Sequence, residues 1–182
     1  RLLYRQQPRN RDEAAHCCEE QDHGLDRALD HQLIELAEPA LNNKERVKIE
    51  LPICNANRTV GAMLSGKVAK RYGEGGLPPE TIRINFTGSA GQSFCAFLAK
   101  GIDVHLEGDT NDYLGKGMTG GRIVVCAPSD ASFVPEENIL IGNVVLYGAT
   151  GGQVYIRGLA GERFCVRNSG VHAIVEGVGD RA

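Results

Sequence analysis

Every tenth residue from Ile84 onward is apolar: Phe94, Val104, Leu114, Val124, Val134, Val144, Val154, Phe164 and Ile174 follow without a gap. A fixed period marks a chain that stacks like units on one another, because each unit has a hydrophobic face that only its neighbours can cover. Around these positions lie the words IRINF, SFCAF, IDVHL, RIVVC, NVVLY, QVYIR, RFCVR and HAIVE, joined by glycine, asparagine and aspartate. They read as short strands alternating with turns. Of the 23 glycines, all but Gly24 lie at or beyond Gly61, so the punctuation belongs to the repeating part.

Helical periodicity is sparse after Gly66, which argues against a doubly wound α/β sheet, since parallel strands in that fold need long crossover helices. Solenoid, sandwich and barrel remain. A sandwich tolerates unequal strand spacing, whereas coils stacked at ~4.8 Å must have nearly equal circumference. The regular spacing therefore predicts a mainly β fold, a right-handed parallel β-helix (a single-stranded solenoid), with two ten-residue units per coil of about 20 residues. Short α-helices precede it. Leu25, Ala28, Leu29, Leu33, Leu36 and Ala40 form one helical stripe after Asp22 as N-cap, with Pro39 weakening the last turn. Val47–Leu51 alternates as a short strand, and Val60, Met63, Leu64 and Val68 predict a docking helix over 58–72. The expected organisation is a linker at 1–21, a helical preface with a short strand at 22–72, and the solenoid at 73–182.

Two glycine motifs invite nucleotide readings and fail on context. Gly115-Lys116-Gly117-Met118-Thr119-Gly120-Gly121 has G-x-G-x-x-G spacing, but the following Arg122–Cys126 reads as a strand. A dinucleotide fingerprint needs a helix there to present amides to pyrophosphate. The segment reads instead as a corner of the solenoid. Gly61–Val68 has the phosphate-loop spacing but puts Val68 where a magnesium-binding hydroxyl belongs, and it lies inside the predicted helix.

Lys and Arg number 20 against 23 Asp and Glu, with no basic block, so the charge footprint of a nucleic-acid binder is missing. No apolar run approaches the ~20 residues of a membrane span, and no signal peptide opens the chain. The expectation is a soluble cytoplasmic chain without nucleic-acid or membrane partners. Cys54, Cys95, Cys126 and Cys165 lie apart, the last three in apolar words, as expected of free thiols. His16, Cys17, Cys18 and His23 carry metal-ligating atoms, but adjacent cysteines chelate one ion poorly. Glu107, Asp109 and Asp112, with Arg122, are the candidate carboxylates for a carbohydrate-cleaving β-helix surface, yet acidic residues are also what a turn prefers. An aromatic content of 5% without tryptophan offers little for sugar stacking. His105 and His172 sit in strand words and read as satisfied or solvent-facing. No catalytic, cofactor-binding or metal-binding residue is assigned.

The longer words DHGLDRALD, RTVGAMLSGKVAKRYGEGGLP, GSAGQSFCAFLAKGIDVHLEGDTNDYLGKGMTGGRIVV and YGATGGQVYIRGLAGERFCVRNSGVHAIVEGVGD resemble the C-terminal glycine-motif (GXGXG) β-helix domain of the glutamate synthase large chain. The resemblance covers roughly residues 22 to 180. It implies a non-catalytic scaffold segment, part of an oxidoreductase that forms glutamate from glutamine and 2-oxoglutarate with electrons from NADPH, NADH or ferredoxin. Its implied partners are an upstream glutaminase and an FMN-barrel domain of the same chain, with a small flavoprotein subunit as a further partner. FMN and an iron–sulfur cluster belong to the parent enzyme, with no cofactor in this segment. It also implies further coils, so that the solenoid here is truncated at its C-terminal end. The alternative resemblance is to the solenoid subunit of formylmethanofuran dehydrogenase, whose glycine motif is similar; the helical preface and DHGLDRALD favour glutamate synthase.

Overall fold

The structure is a computed structural model that describes residues 22–180, so the expected linker, with His16, Cys17 and Cys18, lies outside the described residues. Within them the protein is mainly β. Seven strands, β1 (Val47–Ile53), β2 (Ile82–Ala90), β3 (Ile102–Thr110), β4 (Arg122–Cys126), β5 (Ile139–Ile141), β6 (Gly152–Ala160) and β7 (Val171–Val178), form one sheet. Every pairing in it is parallel. A two-layered antiparallel sandwich is therefore excluded.

The registers show how the sequence repeat is made. Ile82, Ile84 and Phe86 of β2 face Ile102, Val104 and Leu106 of β3, a step of 20 residues. These side chains point into the core and are almost wholly buried. The next step is shorter by one: Val104 pairs with Ile123 and Leu106 with Val125. Because strand side chains alternate between faces, one lost residue moves the strict tenfold series onto the opposite face. The core residues of β4 are accordingly Ile123 and Val125, not the expected Val124. From β4 to β6 the step grows to 31 (Ile123 with Val154), because the chain leaves the stack at 127–138 before β5 returns to it. The step from β6 to β7 is again 19 (Val154 with Ala173). Of the expected inward rungs, Val134 is 51% exposed because it lies in the excursion, and Ile174 is 64% exposed because of this last slip.

The words SFCAF, NVVLY and RFCVR are not strands. In each of these segments alternate residues have positive φ: Ser93, Cys95 and Phe97; Val144 and Leu146; Arg163, Cys165 and Arg167. Bonds from Ala96 N to Ser93 O and from Leu98 N to Cys95 O close successive four-residue turns of the kind that put φ > 0 at the third residue. The amides of the left-handed residues reach neighbouring turns: Ser93 N donates to Asp112 O, Gly115 N to Phe94 O, Leu146 N to Leu114 O and Cys165 N to Val145 O. Between them Phe94, Leu114 and Val145 point into the core with no exposure. Each step thus has an apolar strand and an apolar turn, which is why the sequence period was ten and not 20.

The glycine spacing of GKG follows from the same geometry. Gly115 and Gly117, both at φ 62°, occupy left-handed positions two residues apart. A Cβ on Gly115 would fall 2.7 Å from Leu146 Cδ2, and one on Gly117 2.8 Å from the Phe97 ring. The reading of this motif as a corner holds, and β4 follows it with no helix between.

The predicted N-terminal helix is broken into a 3₁₀ turn (Leu25–Arg27), α1 (Asp30–Leu36) and α2 (Glu38–Asn43), with Pro39 starting α2 and not ending α1. Leu33, Ala37, Ala40 and Leu41 are buried, whereas Leu25 and Leu36 of the expected stripe face solvent. α3 (Ala62–Tyr72) matches the predicted docking helix and buries Leu64 and Val68. All three helices contribute to one continuous core with Ile49, Ile53, Phe86, Phe94 and Leu98.

Backbone contact between neighbouring rungs is tightest at Gly108, φ 153°, where a Cβ would run into Gly88 O of the paired strand. Gly148, φ 64°, has open space in that direction. Urea denaturation should show Gly108→Ala losing several kcal/mol, about 3 or more, because backbone must move. Gly148→Ala should lose only about 1 kcal/mol, the cost of a left-handed L-residue.

Candidate functional site

A trough of about 990 Å³ lies at the ends where β2, β3, β4, β6 and β7 begin. Its wall carries a small ion network. Arg122, the first residue of β4, lies directly across from Asp103 of β3. Its Nη2 donates to Asp103 Oδ2 at 2.9 Å and to Glu80 Oε1 at 3.1 Å, and Arg83 Nη2 meets the same Glu80 oxygen at 3.1 Å. Asp103 is nearly buried, and loss of water pushes its carboxyl above the usual range even though Arg122 pulls the other way. Glu80 is held below its ordinary value by the neighbouring Arg83 charge and by the hydrogen bond from Arg122. Lys44, Lys100 and His172 add further titratable groups to the lining, with Thr119, Thr150 and Gln153 as neutral polar ones.

The carboxylates singled out from sequence are dispersed. Glu107 points outward from β3 and accepts from Ser129 N at 3.0 Å. Asp109 accepts from the Ser89 hydroxyl at 2.5 Å, and Asp112 accepts from Asn143 N at 2.7 Å. Arg122 is four residues along β4 from Cys126, the partner of Glu107, so it belongs to the trough and not to these acids. Each of the three therefore has a structural hydrogen bond, and together with Arg122 they do not form an acid–base pair around a common cleft. His105 is exposed, with Nε2 3.4 Å from Cys126 Sγ. Burial and then the Glu107 charge push that thiol up. His172 is exposed at the far end of the trough. His23 is exposed and described; its sequence neighbours His16, Cys17 and Cys18 are not.

Cys54, Cys95, Cys126 and Cys165 are free thiols. Among the described residues no three His, Cys, Asp or Glu side chains gather as a metal site, so these residues do not fit an iron–sulfur cluster. No described helix is long and apolar enough to cross a membrane.

One buried acid was missed by the sequence reading. Asp30, on α1, is 2% exposed, and its carboxylate accepts from Gly61 N at 2.9 Å and Leu64 N at 3.0 Å. It thereby caps the start of α3 from a separate helix, at the end where the helix dipole favours an anion. The carboxyl is nonetheless raised above its ordinary value, burial outweighing the amides. Cys95 lies buried nearby, its thiol pushed well up by burial and then by the Asp30 charge. Neither Asp30 nor Asp103 carries a local signal, since each partner is many residues away and only the register brings them together.

Parallel strands, with glycine-bearing left-handed turns between them, place the chain in the class of mainly β domains built on a parallel sheet. It belongs to the GXGXG motif family, whose model matches residues 30–182. It is 57% identical over 160 residues to "Glutamate synthase [NADH]" of Schizosaccharomyces pombe, covering 88% of this chain and 8% of that protein. It is 48% identical over 161 residues to "Glutamate synthase [NADPH] large chain" of Bacillus subtilis, covering 88% of this chain and 11% of the relative. It is 51% identical over 149 residues to "Ferredoxin-dependent glutamate synthase 2" of Synechocystis, covering 80% and 10%. The chain thus spans about a tenth of the length of the curated relatives it matches.

The raised Asp30 carboxyl gives a pH prediction. A group whose folded value lies above its unfolded value stabilises the fold when protonated, and that contribution is lost as pH rises through the folded value. Asp30→Asn removes the titration. The stability difference, wild type minus Asp30→Asn by urea unfolding, should therefore fall as pH rises from the ordinary carboxylate range upward. Asp30→Ala, which orphans two buried amides, should cost about 2–3 kcal/mol at the acid end of that range, and its cost should fall with rising pH in parallel.

Proposed function

We propose that the chain is the structural domain of a glutamate synthase, wound as a right-handed parallel β-helix, and that it holds the catalytic domains of the longer polypeptide in register. The observation that carries this reading is the breadth of the similarity. Proteins named for NADH, NADPH and ferredoxin are each about half identical to it over most of its length. A segment shared across three electron donors is not what selects the donor, so its role lies in something common to all three enzymes. The in-register stack supports a rigid spacer, because bending it would break several rungs of hydrogen bonds together.

In this reading the parent enzyme moves the amide nitrogen of glutamine to 2-oxoglutarate, in the cytoplasm, with FMN and an iron–sulfur cluster housed in other domains. The glutaminase and FMN-barrel domains would pack on this segment, and a small flavoprotein subunit would bind the assembled chain. The segment supplies position and no reacting group. The test is a full-length enzyme lacking residues 84–174. Glutamine-dependent glutamate formation should fall at least tenfold, while separately assayed glutaminase activity is retained or becomes uncoupled from synthesis. Unchanged glutamine-dependent turnover would refute the scaffold role.

A further inference from the structure

We propose that the trough is a recognition site for an acidic peptide segment laid along the stack, with Arg122, Lys44 and Lys100 as its carboxylate partners. Arg122 is held by Asp103 and Glu80 through a single nitrogen, Nη2, yet its side chain remains 37% exposed. The other donors of the guanidinium fork are thus fixed in place beside the open trough, as planar recognition of a carboxylate needs. Glu80 is matched in turn by Arg83, so the two acids of the wall are offset by two arginines. Among the described residues Lys44 and Lys100 form no ion pair; Lys44 sits 5.1 Å from the Tyr72 ring centroid. The unspent charge of the trough is therefore positive.

The placement of Lys100 is built and not incidental. A Cβ on Gly76 would fall 2.6 Å from Lys100 Cβ, and one on Gly120 would strike its Cγ and come within 2.9 Å of its backbone nitrogen. Gly120 has no positive φ, so its missing side chain answers only to that close approach. The stem of Lys100 lies between two glycines of different rungs, with its ammonium at the exposed end. Gly101, Gly120 and Gly151 line the trough and contribute only backbone to its wall. Crossing the rungs of β2, β3, β4 and β6 at ~4.8 Å each gives a span of roughly 15 Å, enough for about five extended residues. The volume and the spread of cations over several rungs suit such a segment better than one small dicarboxylate.

The inference is independent of the scaffold reading, since a trough that fails to bind leaves domain positioning untouched. Its test is a fluorescence-anisotropy titration of the full chain with labelled, capped hexaglutamate, with hexaglutamine and free glutarate as the other arms. Hexaglutamate should bind at least about tenfold more tightly than hexaglutamine, weaken as salt is raised, and resist competition by glutarate. The Lys44→Gln/Lys100→Gln double variant, which keeps the side-chain stems, should lose at least about fivefold. Equal binding of both peptides, no binding, displacement by equimolar glutarate, or an unaltered affinity in a folded double variant would each overturn it. If the double variant unfolds, the wild-type comparison of the two peptides decides.

Discussion

The interaction on which the rest depends is the backbone hydrogen bonding between successive rungs, made twice per step. Strands pair in parallel along one side, and the left-handed turns pair along another, as in the bonds from Leu146 N to Leu114 O and from Thr150 N to Met118 O. Parallel pairing usually demands a helical crossover. Here the turn segment takes that place, returning the chain to the next rung in about 20 residues. Non-glycine residues at positive φ, including the β-branched Val144, cost about 1–2 kcal/mol each. In the turns they persist because the amides of Ser93, Cys95, Phe97, Tyr113, Val144, Leu146, Arg163 and Cys165 each have a partner on a neighbouring segment, and a relaxed backbone would leave those partners unmatched.

That dual ladder also explains what could be read from the chain alone. Mainly β content, parallel pairing and the docking helix around Leu64 and Val68 were legible, because hydrophobic period and glycine punctuation report them locally. The turn words were misread as strands because Phe94, Leu114 and Val145 alternate inward just as strand residues do, and only φ separates the two. The slip at Val124 was hidden for a different reason. A single deleted residue changes the face of β4, until the longer step to β6 brings Val154 back inward, yet RIVVC is apolar enough on both faces to keep the tenfold series unbroken.

The candidate site was the least legible part. Glu107, Asp109 and Asp112 attract notice because they cluster in sequence, but the fold spends each on a loop amide or a neighbouring hydroxyl. Asp103 and Arg122 are 19 positions apart and meet only because the rungs align them. Asp30 reaches 31 residues forward to cap α3, which ties the helical preface to the stack through one carboxylate. Tyr72 and Arg71 strengthen the same joint by donating to Leu41 O at 2.6 and 2.7 Å. The preface is thus an integral lid on the first rung, and the shared core agrees with that.

The excursion at 127–138 is a place where chain length and sheet geometry are decoupled, as is the connection through α3 that brings Ile82 beside Val47. It departs after Cys126 and rejoins with Ile141 beside Thr110, so the rungs on either side keep their alignment whatever lies between. In the short steps from β2 to β3 and from β3 to β4 an added residue would turn a strand inside out; here it would only lengthen a solvent-facing detour. The detour is thus a natural port for grafted cargo, an epitope or a fluorophore, on a molecule whose short steps are length-locked.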